Sequence, residues 1–356
     1  MTRNPGLVRG GRSLLPIALS IVTGLAAATL SLACGLDSTD EAPQASPSRA
    51  PRQSADLGTT RTPAPEVPTS TPSPSPSPTP EPTPGSEATP VVSHDLQQLE
   101  AQMAIAIDEY WVDGNYAVAV TDLQTGETVG VNRMTPKMSG CVMNLFVLFQ
   151  VARDVEAGRY PLTEVDDLMR ATPWSSNAAT ARELYRIAGD GDAVEGVRRV
   201  ADLISDLGLA DVLLDHPPSY HADSLGLDYN NWITAESMNR AMAALWAGDV
   251  VRAEYRAYLL EILSNVKPGL NYLTAAVPEG IVSHKNGFFY GDTGYVDNDV
   301  GIVRMERAGS EYAYAISFLS EEVLTEYGDV VLGQQLGNMA YEVMAARYPV
   351  DGTSAR

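Results

Sequence analysis

The chain carries only two cysteines in 356 residues, Cys34 and Cys141, so no disulfide framework organises it. Basic residues are scarce as well: 24 Lys and Arg stand against 45 Asp and Glu, a net charge of −21. Nucleic-acid recognition needs a basic surface, and that class of function is excluded. The acidic surplus serves solubility. Histidine is rarer still, with four in all, yet Asp215, His216, His221 and Asp223 gather in one stretch. Their spacing fits no established ligand pattern, so neither a metal nor any other cofactor is expected.

Prolines, by contrast, are concentrated. From Asp37 to about Pro90 no apolar periodicity survives, and the run culminates in Thr71-Pro-Ser-Pro-Ser-Pro-Ser-Pro-Thr-Pro80. Such a segment cannot bury enough surface to offset the entropy of ordering it. It reads as a semi-rigid spacer in extended polyproline II geometry, about 3.1 Å per residue. Before it, Arg3, Arg9 and Arg12 form a basic n-region and Leu14 to Ala33 is mostly apolar. The segment ends in Leu30-Ser-Leu-Ala-Cys34, which resembles the lipobox of bacterial lipoproteins. That resemblance implies lipidation at Cys34; the other reading is an uncleaved anchor, since roughly 20 apolar residues span a bilayer. Either places the rest of the chain outside the cytoplasm, attached to the membrane. Three parts are expected: residues 1–34 a signal segment, 35–92 a disordered stalk, and 93–356 one globular domain.

Within the domain, Leu96, Leu99, Met103 and Ile107 fall at helical spacing and predict a first helix over His94 to Val112. Tyr116 to Asp122 and Glu127 to Asn132 flank Leu123-Gln-Thr-Gly126, a hairpin pattern. Helical periodicity then covers Val142–Glu156, Leu162–Arg170, Ala178–Ala188, Asp192–Leu207, Ala235–Ala247 and Ala253–Val266. Strand patterns return at Gly280–Phe289, Val296–Arg307 and Tyr312–Leu319, before a last helix over Val331–Arg347. The expected fold class is α/β (α+β): a five-stranded antiparallel sheet, because hairpins join its strands, flanked by helices.

Three short motifs carry the chemistry. His284-Lys285-Asn286-Gly287 is followed by Asn298-Asp299-Val300-Gly301-Ile302; Ser175-Ser176-Asn177 follows Leu162-Thr-Glu-Val-Asp-Asp-Leu-Met-Arg170; and Val155-Glu-Ala-Gly158 lies upstream of both. In this order they resemble the penicillin-recognising serine hydrolases, specifically class A β-lactamases, over residues 94 to 350. That family brings Ser-x-x-Lys, Ser-x-Asn and Lys-Thr/Ser-Gly around one cleft. The resemblance implies a β-lactamase-like fold with a reduced helical lobe, the chain being shorter than the family between Gly158 and Ser175. It also implies catalytic or assisting roles for Ser175 and Lys285. Asn144, Asn177, Asn286, Gly287 and Phe288 would line the ligand site, with the N–H groups of Cys141 and Phe288 aimed at an oxyanion.

The first motif is broken. Counting from Val155-Glu-Ala-Gly158 sets Cys141 at the serine position and Asn144 at the lysine position. No glutamate occurs between Glu195 and Glu236, where the family keeps its other base; Asp215-His216-Pro217-Pro218 stands near that place. A serine hydroxyl without a base is a poor nucleophile, whereas a cysteine at a helix N-terminus has a lowered pKa. Asn144 is an inert replacement able to hydrogen-bond Asn177, and Lys285 would supply charge for a substrate carboxylate. Three functions remain open on the sequence: a monomeric binding or scaffolding module for peptidoglycan-related or other carboxylate ligands, a Cys141-dependent acyl hydrolase or transferase, and a structural surface protein. Each motif also has a plainer reading, in which Ser175 and Asn177 cap a helix and Cys141 is a buried small side chain.

Overall fold

A computed structural model of the chain describes residues 92–270, 273–275, 277–307 and 309–348. The signal segment, Cys34 and almost all of the stalk lie outside these residues. Among the described residues no helix is long and apolar enough to cross a membrane.

The chain opens with α1 (His94–Asp108), then β1 (Asn115–Asp122) and β2 (Thr128–Val131). A short β3 (Lys137–Met138) leads through a 3-10 turn, Gly140–Met143, into α2 (Asn144–Glu156). The helices α3 (Asp166–Ser175), α4 (Ala178–Ala188) and α5 (Ala193–Asp206) follow, then β4 (Trp232–Ile233), α6 (Ala235–Ala247) and α7 (Ala253–Ser264). Three long strands, β5 (Ile281–Gly291), β6 (Gly294–Arg307) and β7 (Ser310–Glu321), precede α8 (Val330–Arg347).

The main sheet has the order β2-β1-β7-β6-β5 and is antiparallel throughout; hairpins impose this on β1–β2, β5–β6 and β6–β7, while β1–β7 joins the two ends of the domain. Successive side chains on a strand point to opposite faces, and β1 shows what that means here. Ala117 and Ala119 join one apolar cluster with α2, α5, α6 and α7; Val118 and Val120 join another with α1 and α8. The sheet is therefore covered on both faces, which is why its strands read as near-continuous apolar runs. Each fully buried Val, Leu or Phe contributes roughly 1.5–3 kcal/mol, and both layers are rich in them.

All of the helix α2 but Arg153 and Glu156 is buried, its polar Asn144, Gln150 and Asp154 included. A helix with so little solvent face sits in the middle of its lobe. Gln150 donates to Asp154 at 3.1 Å and Arg199 of α5 pairs with Asp154 at 2.6 Å, so two of the three polar groups are satisfied. Asn144, in the first turn, is the third.

β3 and β4 were not legible as strands, being two residues each, paired with one another and bridged at Trp232 to Leu213. The expected helix over Val142–Glu156 also begins later: Cys141 sits in the 3-10 turn before α2 and not in the helix itself.

Candidate functional site

β5 is an edge strand, and its middle runs past the turn that precedes α2. Gly287 makes the approach possible. A methyl group there would lie 2.7 Å from the Cys141 nitrogen and 2.8 Å from the Val142 nitrogen, closer than any real side-chain contact. Asn298 of β6 ties the same turn to the sheet, its amide donating to the carbonyls of Met138 (2.8 Å) and Ser139 (3.1 Å). Gly287 and Asn298 together hold the expected nucleophile turn against the Lys-Asn-Gly strand, as the motif order implies.

Lys285 is completely buried. Its Nζ donates to the Ser176 hydroxyl and to the Asn286 carbonyl. Asp299 of β6 is the carboxylate that acts on it, but Asp299 is already held by His284 at 2.7 Å and by Thr274 at 3.2 Å. Desolvation therefore dominates and lowers the lysine from its ordinary 10.5 to about 7. Burial thus weakens, near neutral pH, the positive charge that Lys285 is expected to offer a substrate carboxylate.

The serine that meets Lys285 is Ser176, where the motif reading pointed to Ser175. α3 runs through Ser175, whose hydroxyl makes no hydrogen bond among the described residues. The next residue turns: Ser176 has φ 54° and ψ 42°, the left-handed region that usually takes glycine. Its N–H and that of Asn177 both reach the Thr172 carbonyl, closing the helix end. Holding a serine there costs about 1 kcal/mol relative to glycine. The conformation swings the Ser176 hydroxyl to Asn286, 3.0 Å from its carbonyl and 3.2 Å from Oδ1, and to the Lys285 amine. No periodicity in the sequence signals a single left-handed residue, so the contact of Ser176 with Lys285 has no signature in the chain alone.

Asn177 has the plainer of its two roles. Its Oδ1 accepts from the N–H groups of Ala179 (3.0 Å) and Thr180 (3.1 Å), capping α4. It is not the partner of Asn144, whose amide is fully buried with neither Oδ1 nor Nδ2 hydrogen-bonded. Burying such a pair of groups unsatisfied costs a few kcal/mol. Asn286 braces the site: besides receiving Ser176 it donates to the Leu270 carbonyl at 2.8 Å. Phe288 is half-buried in an aromatic stack, 4.7 Å from Tyr327 and 5.8 Å from Tyr295. Cys141 is fully buried, so its side chain does not face solvent at the turn before α2.

The acid–histidine stretch is structural. Asp215 accepts from Ser224 and from the Leu227 N–H at 2.6 Å, while Asp223 pairs with Arg182 at 2.6 Å. The His216 and His221 rings meet at 4.1 Å in a tilted contact, and His221 stacks on Tyr229 at 4.7 Å. No group able to hold a metal occurs among the described residues.

Residues 163–344 match the sequence profile of the beta-lactamase enzyme family. The chain belongs to that family. Solved structures agree on the fold: a TLA-1 extended-spectrum β-lactamase variant superposes with a TM-score of 0.59 at 15% identity, covering 70% of this chain and 99% of its own. A class A β-lactamase representative from Bacteroides cellulosilyticus DSM 14838 gives 0.59 at 20% identity, with 70% and 98% covered. The structure titled PBP-A gives 0.57 at 14% identity, with 70% and 96% covered. No curated protein matches. The five-stranded antiparallel sheet and helical lobe are thus those of a class A β-lactamase-like domain.

Proposed function

We propose that this β-lactamase-family domain is a ligand-binding or scaffolding module of the cell envelope, its ordinary serine acylation disabled. One observation supports the reading: Asn144, which the motif spacing sets at the place of the family's base, is a buried amide with no hydrogen bond among the described residues. An amide cannot take a proton from a nucleophile at neutral pH, and the loss of a general base lowers such rates by about 100-fold or more. Cys141, at the nucleophile position, is fully buried as well. Peptidoglycan-related or other polar carboxylate ligands would meet the polar groups that remain beside it, Ser176 and Asn286.

The full chain in detergent should turn over a chromogenic cephalosporin at least about 100-fold more slowly than a working class A enzyme, while calorimetry with soluble peptidoglycan fragments shows saturable heat. Fast turnover abolished by Cys141→Ala would overturn the reading in favour of a cysteine enzyme. The tether is a separate proposal, supported by the apolar run that ends at Cys34 and by the proline-rich stretch after it. Growth with an alkynyl fatty acid should tag the wild-type chain and leave Cys34→Ala untagged and released from membranes. A Cys34→Ala chain that stays membrane-bound, with neither form tagged, points instead to an uncleaved anchor.

A further inference from the structure

On β5, the strand that passes the Cys141 turn, a lysine amine meets a serine hydroxyl. We propose that Ser176 and Lys285 form a nucleophile–base pair through which this domain takes up the acyl group of an activated ester or strained lactam. The proposal goes beyond the binding reading and does not depend on it.

Four features of the geometry carry it. The Ser176 hydroxyl and the Lys285 amine are in direct hydrogen-bond contact. The two differ in burial, Ser176 being half-buried and Lys285 completely buried, so the base is dry. Ser176 is held in the left-handed conformation by the helix-closing bonds to Thr172, and strained residues of this kind cluster where a side chain must be presented. Asn286 contacts the Ser176 hydroxyl through both its carbonyl and its side chain, which restrains the direction in which Oγ points. Activation of a serine asks for an adjacent group able to accept its proton. Lys285 meets that need because burial lowers its proton affinity to about 7. Asp299 is the charge that opposes this, and it is bound to His284 and Thr274.

The step balances without any further reactant. Ser176 Oγ forms a bond to the acyl carbon as its proton passes to Lys285 Nζ. The bond from that carbon to the leaving group then breaks, and the leaving atom takes the proton from Nζ: an ester's alcohol departs, whereas a lactam's nitrogen stays tethered to the acyl group as the opened ring's amine. The product is an ester on Ser176 and a free amine on Lys285.

A fluorescent fluorophosphonate tests the pair directly. Oγ would displace fluoride from phosphorus, leaving a stable adduct on the full chain. The expected result is labelling confined to the peptide 171–182, localised by fragmentation to Ser176. Ser175→Ala should keep the label. Ser176→Gly should lose it, and because glycine suits the left-handed turn this variant keeps its fold, checked by circular dichroism. Lys285→Met should lower the labelling rate at least about 10-fold, and the wild-type rate should rise through pH 7 as the amine loses its proton. No adduct, an adduct on any other residue, or a rate indifferent to Lys285→Met overturns the proposal. Peptidoglycan fragments that still bind a chain refractory to the probe would sink the dyad and leave the binding reading standing.

Discussion

Lys285→Met should raise the thermal midpoint at pH 7 by about 5–10 °C even though it removes the most conspicuous ionisable group of the site. The reason is the amine's burial. Lys285 is protonated to about 10.5 in the unfolded chain but only to about 7 in the folded one. Between these values the unfolded state binds the extra proton, so folding must release it, and stability rises as pH rises. The slope for one group is about 1.4 kcal/mol per pH unit. Methionine fills a similar volume with no proton to release, so its advantage should be greatest at pH 7, about 2–4 kcal/mol, and shrink steadily toward pH 9.5. Differential urea unfolding of wild type and Lys285→Met across this range isolates the group from the buried tyrosines, which titrate in both proteins. Parallel curves at all pH values would mean that Lys285 is solvated. A site that destabilises its own domain in this way fits a group retained for chemistry.

Gly287→Ala should be the most damaging single methyl in the site. The added carbon meets two backbone nitrogens, Cys141 at 2.7 Å and Val142 at 2.8 Å, and backbone atoms cannot swing aside as a side-chain tip can. Either β5 moves off the turn or the turn moves off the sheet, and Asn298 resists the second course by its bonds to Met138 and Ser139. We expect a loss of about 2–3 kcal/mol in urea unfolding. Displacing β5 would also separate Lys285 from Ser176, so fluorophosphonate labelling should fall together with stability. Gly126→Ala is the comparison: nothing lies within 4 Å of its added methyl, and only its positive φ opposes the change. Equal losses in the two variants would show that Gly287 is not the point of close approach.

Much of this molecule was determined locally and could be read from the chain. The boundaries of α4 at Ala178–Ala188 and α6 at Ala235–Ala247 follow from periodicity and from their capping residues, Asn177 and Thr234. The antiparallel sheet follows from strands close enough in sequence to be hairpins. The motif order was legible too, because glycine at 287 and the Lys285 strand keep a fixed spacing from the residues they serve. Three things depended on tertiary structure. Which serine meets Lys285 was decided by the dihedral angles of Ser176, a single left-handed residue with no periodic signature. That Asn144 lacks a partner was decided by α2 lying at the centre of its lobe, where no neighbouring side chain reaches the amide. The charge of Lys285 was decided by complete desolvation and by Asp299 being already engaged, since burial and the prior commitments of a partner are properties of packing and not of any residue taken alone.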